Sequence, residues 1–296
     1  MLREMADLGF EWVELSHGIK LVLVPGILKA VEEGIIKVAS CHNFCPLPAG
    51  VNHPAPNLYA PSAPDARERD QWLRQSRRTI DFANQVQAKK VVLHLGAVEF
   101  FWRNPARKLE SYLAAKAGAD LSSDVKYQKL LAKSREQLKE RMVPYWKNTR
   151  DGLVELLPYA EQKGIQLGFE NREHADELPL DEDHPALIAA MAKPNACGYW
   201  HDTGHAQIKQ NMGLLDHRAH LEMNAPNAIG FHLHDVSPEG DDHQAIGSGK
   251  INFDMISGFW RPEHTLVIEL SPKLTRAEVL ASRQHVDVLL ARRFGI

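Results

Sequence analysis

Short apolar segments rich in β-branched residues alternate with longer helical stretches along this chain. Seven of the short segments have the length and composition of strands, at residues 10–15, 36–40, 90–94, 165–170, 198–202, 229–234 and 266–270. Helical patterns are clearest at residues 65–87, 127–163, 184–192 and 276–292, and Pro144 predicts a break in the second of these. Strands that alternate with helices in this way predict an α/β fold with a parallel sheet.

Glycines stand directly before three of the predicted strands, at Gly9, Gly34 and Gly164. A glycine is the preferred residue where a helix ends in the left-handed conformation, since it has no Cβ to clash. We therefore expect a helix to end at each of these positions.

The composition is that of an ordinary globular protein. The chain has 296 residues, of which 44% are hydrophobic and 25% are charged, and no linker or repeat divides it. We therefore expect a single domain over residues 1–296. The formal net charge of −3 gives no long-range attraction to nucleic acid.

Cysteine usage and hydropathy indicate the compartment. The three cysteines, Cys41, Cys45 and Cys197, are too few for a disulfide framework and suit a reducing environment, so we expect the cytoplasm. No stretch approaches the roughly 18–20 apolar residues that a membrane span needs. The sequence thus predicts neither export nor membrane insertion.

Side chains that can bind a metal ion follow six of the seven predicted strands. These are His42, His94, Glu170, Asp202 with His205, His232 and Glu269, and the loop after the His232 strand adds Asp241 and His243. In a parallel α/β barrel the loops after the strands form one face, so these side chains are expected to converge. Imidazoles and carboxylates without a thiolate favour a divalent ion, with zinc or manganese first.

Structural roles compete with this interpretation at individual positions. A single histidine at a strand end is more often a hydrogen-bonded structural residue, and Asp202 could simply cap the next helix. His234 alternates with His232, so we expect it to point to the other side of its strand and to be structural. Eight other histidines are expected in loops or on the surface: His17, His53, His174, His184, His217, His220, His264 and His285.

The order of these motifs resembles that of a known family. The segments VELSHG, SCHNF, VVLHLGA, GFENR, HDTGHA, FHLHD, GSGKINF and IELSP together resemble the xylose isomerase-like TIM barrels, over nearly the entire chain. That superfamily includes sugar epimerases and isomerases, inositol-catabolism enzymes and the endonuclease IV type of abasic-site nuclease. Its sugar epimerases hold one ion with four residues, which correspond to Glu170, Asp202, His232 and Glu269. The histidine of their Asp-x-x-His motif contacts substrate and corresponds to His205.

The nuclease branch of the superfamily implies a larger site. It holds three ions with nine ligands, and all nine types have counterparts here: His42, His94, Glu170, Asp202, His205, His232, Asp241, His243 and Glu269. Other features disfavour a nuclease. The loop after His42 is proline-rich, HDTGHA lacks the cysteine usual in the nuclease, and no basic cluster is available for a duplex.

Two classes of function follow from the resemblance. The first is a metal-dependent isomerase or epimerase of a sugar, sugar phosphate or polyol-derived keto compound, in which Glu170 and Glu269 act as acid and base and His205 assists. Residues 98–126, with Phe101 and Trp102, could close over such a small substrate. The second is a metal-dependent phosphodiesterase acting on nucleic acid. Another metal-dependent lyase or hydrolase is the third alternative, because this fold hosts many chemistries.

The resemblance also predicts a missing strand. A TIM (β/α)8 barrel has eight strands, whereas residues 1–8 have the pattern of the first helix and leave no residues for a strand before it. Seven strands leave two edges unpaired. The sequence therefore predicts that the native start lies upstream, or that another segment or a partner chain in an oligomer fills the gap.

Overall fold

A computed structural model describes residues 1–116, 121 and 123–295 of the chain. Its seven strands belong to one sheet in the order of the sequence. They are β1 (Trp12–Leu15), β2 (Lys37–His42), β3 (Lys90–Leu93), β4 (Gln166–Glu170), β5 (Cys197–Asp202), β6 (Ala228–Leu233) and β7 (Thr265–Ile268).

Helices connect the strands, as right-handed crossovers between parallel strands require. They are α1 (Leu2–Asp7), α2 (Val24–Glu32), α3 (Ala66–Gln85), α4 (Pro105–Ala114), α5 (Val125–Gln162), α6 (His184–Met191), α7 (Thr203–Asn211), α8 (His217–Asn224), α9 (Phe253–Ser257) and α10 (Arg276–Phe294), with 3₁₀ turns at Leu21–Leu23 and Ala225–Asn227.

All seven predicted strands are present, and their ends differ from prediction by no more than a few residues. The α/β fold class of a TIM barrel with seven strands is thereby confirmed. Among the described residues, none forms a strand before Trp12 or after Ile268. The expected break at Pro144 is wrong, because α5 continues through this proline and through Pro158.

The three glycines adopt the conformation that their positions predict. Gly9 follows α1 with a φ of 85°, Gly34 follows α2 with a φ of 68°, and Gly164 follows α5 with a φ of 67°. These left-handed residues end each helix and turn the chain toward the next strand.

Two compact units can be distinguished along the chain. The first comprises Met1–Gly96, Pro144–Glu170 and Ala186–Tyr199, and the second comprises Ala97–Val143, Asn171–Pro185 and Trp200–Ile296. The single domain over residues 1–296 stays a prediction.

In the first unit, parallel pairing sets the register of the strand ends. Val92 of β3 pairs with His42 at the end of β2 and with Gly168 of β4. Glu170, the last residue of β4, stands two residues beyond Gly168 and on the same face, because side chains alternate along a strand. His94 directly follows the last residue of β3. The register therefore brings the ends of these three strands to one place.

In the second unit, β6 and β7 are parallel, with Leu233 opposite Ile268. Beyond the last pair, the backbone N–H of Glu269 donates to the carbonyl oxygen of Leu233 at 3.1 Å. This hydrogen bond fixes the position from which the Glu269 side chain leaves the sheet.

A buried apolar cluster in the second unit includes Leu109 of α4 and Tyr127 and Leu131 of α5.

Four histidines expected at the surface are buried in the second unit instead. His184, His217, His220 and His264 are at most 9% exposed, and so is His201 of β5, which the sequence interpretation did not single out. The Nε2 atoms of His201 and His217 are 2.9 Å apart, so one ring donates to the other. Polar side chains predicted exposure at these positions, and the prediction is wrong because two imidazoles can supply each other's hydrogen-bond partner inside the protein.

Burial keeps these imidazoles neutral. Burial lowers the pKa of His217 and of His220 to about 4, and it lowers the pKa of His184 and of His201 well below the ordinary value. This group, which we call the buried histidine cluster, comprises His184, His201, His217 and His220.

In the described part of the chain, no helix combines the length and the apolar character that crossing a membrane requires.

Candidate metal centre

Two imidazoles face one carboxylate at the strand ends of the first unit. The Nε2 atoms of His94 and His42 lie 2.8 Å and 3.4 Å from the same oxygen, Oε2 of Glu170. All three side chains are at least nine-tenths buried. Each offers a ligand atom within 4.8 Å of the others. The structure therefore brings these three predicted residues together.

Hydrogen bonds fix the orientation of both rings. Nδ1 of His94 is 2.7 Å from the Asn57 side-chain oxygen, and Nδ1 of His42 is 2.9 Å from the Asn43 carbonyl oxygen. An oxygen acceptor at Nδ1 requires a proton there, which leaves a lone pair on Nε2 of the neutral ring. Histidine ligands of metals are held in this way.

This donor set fits a divalent cation. Two neutral rings would aim lone pairs at an anionic oxygen, an arrangement that needs a positive charge among them, either added protons or a metal ion. Two nitrogens and a carboxylate oxygen without sulfur match zinc, manganese or cobalt.

In the second unit, one ring contacts carboxylates from two other elements. Nδ1 of His232 lies 3.0 Å from Oε2 of Glu269 and 3.7 Å from Oδ2 of Asp202. His232 and Asp202 are fully buried. The His232 imidazole and the Asp202 and Glu269 carboxylates thus lie together as possible ligands of a cation, as the sequence predicts.

Asp202 performs two tasks that the sequence analysis treated as alternatives. Its Oδ1 accepts from the backbone N–H of His205 at 2.7 Å and caps α7. Its Oδ2 remains directed to His232 and to His234. Capping therefore orients the carboxylate so that its second oxygen faces His232 and His234.

His234 does not point away from these groups, so that expectation is wrong. Its Nδ1 accepts from the His243 backbone N–H at 2.9 Å, and its Nε2 donates to Oδ2 of Asp202 at 3.0 Å. Strand β6 ends at Leu233, so the alternation of a strand no longer applies at residue 234. His234 holds the Asp202 carboxylate in place.

Gly204 makes room for the His234 ring. A Cβ atom at residue 204 would lie 2.1 Å from Cε1 of His234. The glycine of HDTGHA is thus required by close packing of the ring that supports Asp202.

His243 meets the second unit's carboxylates, as predicted, while Asp241 does not. The His243 ring stacks on His234 with centroids 4.3 Å apart, and its Nε2 is 3.7 Å from Glu269. The Asp241 side chain is exposed, and the neighbouring Asp242 contacts Nδ1 of His243 at 2.9 Å instead. The chain turns at His243, where φ is 54°, and this places residue 242 inward.

Charge pairing sets the protonation of His243 and Glu269. Burial opposes the charge of His243, but the carboxylates of Asp242 and Glu269 outweigh burial and raise its pKa to about 11. Burial likewise favours protonation of Glu269, yet His232 and His243 hold its pKa well below the usual range. The Glu269 carboxylate therefore remains ionised beside the cationic His243 ring.

A buried aspartate that the sequence analysis overlooked organises the loop of residues 236–251. The Asp235 carboxylate accepts from the backbone N–H groups of Val236, Gly247, Gly249 and Ile251 at 2.9–3.3 Å. It directly follows FHLH at the end of β6, a signal that could have revealed it. Its role is to fix the loop that carries Asp242 and His243.

Replacing Asp235 by asparagine is expected to lower the free energy of unfolding by about 2–4 kcal/mol, because hydrogen bonds to a charged acceptor contribute about 1.5–3 kcal/mol each and an amide NH₂ would oppose the N–H donors. Urea unfolding at pH 7.5 measures the change. Asp241→Asn, an exposed position on the same loop, is the matched control. Equal unfolding midpoints for Asp235→Asn and wild type would refute this role.

Two further residues missed by the sequence analysis follow Glu170 directly. Asn171 bridges to Asp202 in both directions, since its amide donates to the Asp202 carbonyl at 3.0 Å and accepts from the Asp202 N–H at 2.7 Å. Arg172 is 5% exposed and pairs with Glu177 at 3.1 Å. Their place in the string GFENR, just after a strand, is the signal that could have found them.

The segment predicted to cover the site is described only in part. Residues 117–120 and 122 of the predicted range 98–126 lie outside the described residues. Phe101 and Trp102 are 89% and 92% exposed, so neither side chain is packed over other groups in this structure.

A parallel sheet with helical crossovers, and with imidazole and carboxylate groups at its strand ends, defines a TIM barrel protein. The sequence profile of the xylose isomerase-like TIM barrel family matches residues 2–259, and the chain belongs to that family. The resemblance seen in the motifs is thereby confirmed. No curated protein sequence matches this chain.

Solved structures similar to this one share its fold at low identity. A D-tagatose 3-epimerase-like protein is 18% identical with a TM-score of 0.65, over 98% of this chain and 92% of that chain. An L-ribulose 3-epimerase is 14% identical with a TM-score of 0.66, over 99% and 88% of the two chains. The IOLI protein with a bound zinc atom is 14% identical with a TM-score of 0.64, over 100% and 93%.

Proposed function

We propose that this protein is a divalent-metal-dependent isomerase or epimerase of a sugar, sugar phosphate or polyol-derived keto compound. The observation that carries the proposal is that two carboxylates, Glu170 and Glu269, each lie against neutral or cationic imidazoles in groups suited to a cation. Membership of the xylose isomerase-like family and the epimerases among its structural relatives support the same class.

We assign one ion to Glu170, Asp202, His232 and Glu269, the set implied by the resemblance to the sugar epimerases. Zinc or manganese fits this mixture of oxygen and nitrogen donors. His42, His94, His205 and His243 would extend the centre. Asp241, the ninth residue of the predicted set, is exposed and is less suited to this role.

The proposed chemistry moves a proton at a carbon next to a carbonyl group. The bound ion would supply polarisation of the substrate oxygens. One of the groups Glu170 and Glu269 removes the proton as a carboxylate, and the other returns a proton as a carboxylic acid. His205 would bind a substrate oxygen. A small sugar is the proposed partner, and cytoplasmic location and self-association stay predictions.

Solvent hydrogen exchange tests this function. Purified protein is incubated in D₂O with ketoses and ketose phosphates, after loading with Mn²⁺, Co²⁺ or Zn²⁺, and is followed by NMR. We expect deuterium to enter the carbon beside the carbonyl of at least one substrate and an epimer or isomer to form. Exchange must disappear after chelation with EDTA and return with the metal. The absence of exchange with every metal and substrate would count against the proposal.

A metal-dependent phosphodiesterase acting on nucleic acid is the second candidate, and one observation favours it. The group of His42, His94 and Glu170 offers a cation site in the first unit. Asp202, His232 and Glu269, the other three residues of the four-ligand set, lie in the second unit. More than one ion is typical of phosphodiester hydrolysis. Robust cleavage of DNA with an abasic site, lost in Glu170→Gln, would place this candidate first.

A further inference from the structure

A loop rich in proline, residues 46–64, follows β2 and is held near both of its ends within the first unit. Near its start, the backbone N–H of Leu47 donates to the carbonyl oxygen of Ile19, in the loop after β1, at 2.7 Å. Near its end, the side-chain amide of Asn148 in α5 donates to the carbonyl oxygen of Ala63 at 3.1 Å. We call residues 46–64 the proline loop.

The middle of the proline loop crosses the end of β2. A Cβ atom at Gly18, in the loop after β1, would lie 3.4 Å from Pro54, and Oδ1 of Asn57 lies 2.7 Å from Nδ1 of His94, just after β3. Three residues of chain span at most about 10 Å. Because β1 and β3 flank β2, they are about 9.5 Å apart, twice the spacing of neighbouring strands. The segment between Pro54 and Asn57 therefore extends across the end of β2, where His42 is buried.

The two polar atoms of the Asn57 side chain have different surroundings. Its Oδ1 accepts from Nδ1 of His94, a ring that is only 8% exposed. Its amide nitrogen has no hydrogen-bond partner among the residues that the structure describes, and Asn57 as a whole is exposed. Because an amide nitrogen carries two N–H donors, both are available to a ligand that reaches His94.

The contact with Asn57 determines which nitrogen of His94 faces Glu170. A proton on Nδ1 leaves the lone pair on Nε2, which lies 2.8 Å from Oε2 of Glu170. Without an acceptor at Nδ1, the ring favours the other tautomer, which donates its Nε2 proton to the Glu170 carboxylate. That proton would occupy the position of a cation, so Asn57 selects the form of the ring that can bind a metal ion.

We propose that Asn57 is a positioning and specificity-determining residue of this site. Its oxygen holds His94 in the form that binds a divalent cation, and its amide donates to a hydroxyl or carbonyl oxygen of the substrate. An uncharged amide suits uncharged oxygens, which sugars and polyol-derived keto compounds carry. The amide contact rests on the proposed isomerase or epimerase function, whereas the contact with His94 concerns metal binding alone.

Metal affinity tests the contact with His94. Dissociation constants for Zn²⁺ and for Mn²⁺ are measured on the full-length protein by competition with a chelator. Asn57→Leu removes the acceptor and should weaken at least one bound ion by about 10–100-fold, the usual effect of losing the partner of a metal ligand. Asn57→Asp keeps an acceptor for Nδ1 and should bind metal as tightly as wild type or more tightly.

The matched control is Asn52→Leu, at an exposed position of the same loop, which should retain wild-type metal affinity. Circular dichroism melting checks that every variant is folded.

Substrate affinity tests the amide contact, because Asn57→Asp keeps the acceptor for His94 but has no N–H donor. D-fructose and D-ribulose are the probes, since they are uncharged and the new carboxylate does not repel them. Each is titrated into metal-loaded wild type and Asn57→Asp, and binding is measured by calorimetry. We expect the Kd of at least one ketose to rise by about 3–10-fold, the effect of losing one neutral hydrogen bond.

Each part of the proposal has its own contrary result. Wild-type metal affinity in folded Asn57→Leu would overturn the positioning role. Equal weakening in Asn57→Asp and Asn57→Leu would show that the amide nitrogen faces His94, which overturns the assigned orientation. An unchanged Kd for both ketoses in Asn57→Asp, or no binding of either by wild type, would overturn the substrate contact. A failed exchange reaction with these results intact would reject the proposed function alone.

Discussion

Replacing Glu170 by glutamine is expected to lower kcat for hydrogen exchange by at least about 10³-fold, since loss of a general base alone costs about 10²–10⁴-fold. Glutamine preserves the shape of the side chain but carries no negative charge and takes up no proton. It also removes the anion against which Nε2 of His94 and of His42 is placed. The binding of a cation and the movement of a proton should therefore be lost together.

Exchange rates and bound metal measured on the same samples check this prediction. Glu239→Gln is the matched control, because Glu239 is exposed in the loop after β6 and contacts none of the ligand groups described. It should retain wild-type activity and metal content. If Glu170→Gln kept more than about a tenth of wild-type activity, Glu170 would not be the residue that moves the proton.

Stability is expected to fall steeply as the pH decreases from about 6.5 to about 4, because of the buried histidine cluster. Burial lowers the pKa of His217 and of His220 to about 4, so in this window the unfolded chain binds protons that the folded chain does not. The stability that these two neutral imidazoles contribute is complete above their pKa in the unfolded chain. It is lost as the pH falls toward their pKa in the folded protein. Each of these two histidines should lower the free energy of unfolding by about 3 kcal/mol at pH 4.

The neighbours of the cluster modify this effect without reversing it. Lys209 is buried and pairs with Asp181 at 2.9 Å. The charge of Lys209 further lowers the pKa of His220, and the charge of Asp181 opposes this lowering. His174 behaves in the opposite sense: Glu110 and Glu173 raise its pKa to about 10, so its contribution to stability is complete below about pH 6.5 and is lost progressively as the pH rises toward 10. The acidic window therefore reports on the buried histidine cluster.

Urea unfolding between pH 7.5 and 4.5 measures this dependence. His217→Gln keeps a neutral hydrogen-bonding group opposite His201 and should reduce the slope by about 1.4 kcal/mol per pH unit within the window. His53→Gln should leave the slope unchanged, because that side chain is exposed before and after unfolding. A wild-type slope in His217→Gln would show that the cluster does not govern acid stability.

Local patterns were sufficient to predict which polar side chains meet at the ends of strands. His42, His94 and Glu170 each follow an apolar run, and parallel register then brings them together without further information. The same reasoning places His232 beside Glu269, because neighbouring parallel strands present their ends at one edge. In these cases strand position and side-chain type carry the prediction.

Residues in turns could not be placed by the same reasoning. Asp241 and Asp242 are adjacent and chemically alike, and only the left-handed backbone at His243 decides that Asp242 faces inward. His234 lies one residue beyond β6, where alternation ends, so its contact with Asp202 depends on the path of the loop that Asp235 holds. Turn geometry depends on long-range hydrogen bonds, which a sequence pattern does not contain.

By itself, the sequence determined the order of strands and helices, the left-handed glycine at three helix ends and the residue types available to a cation, because each follows from local conformational preference and periodicity. Tertiary structure alone decided which polar residues are buried. His201 and His217 lie apart in sequence and satisfy one another at 2.9 Å, and Glu173 and Asp242 become neighbours only where their loops meet. Burial and charge pairing depend on the partners that folding supplies, and those partners come from distant parts of the chain.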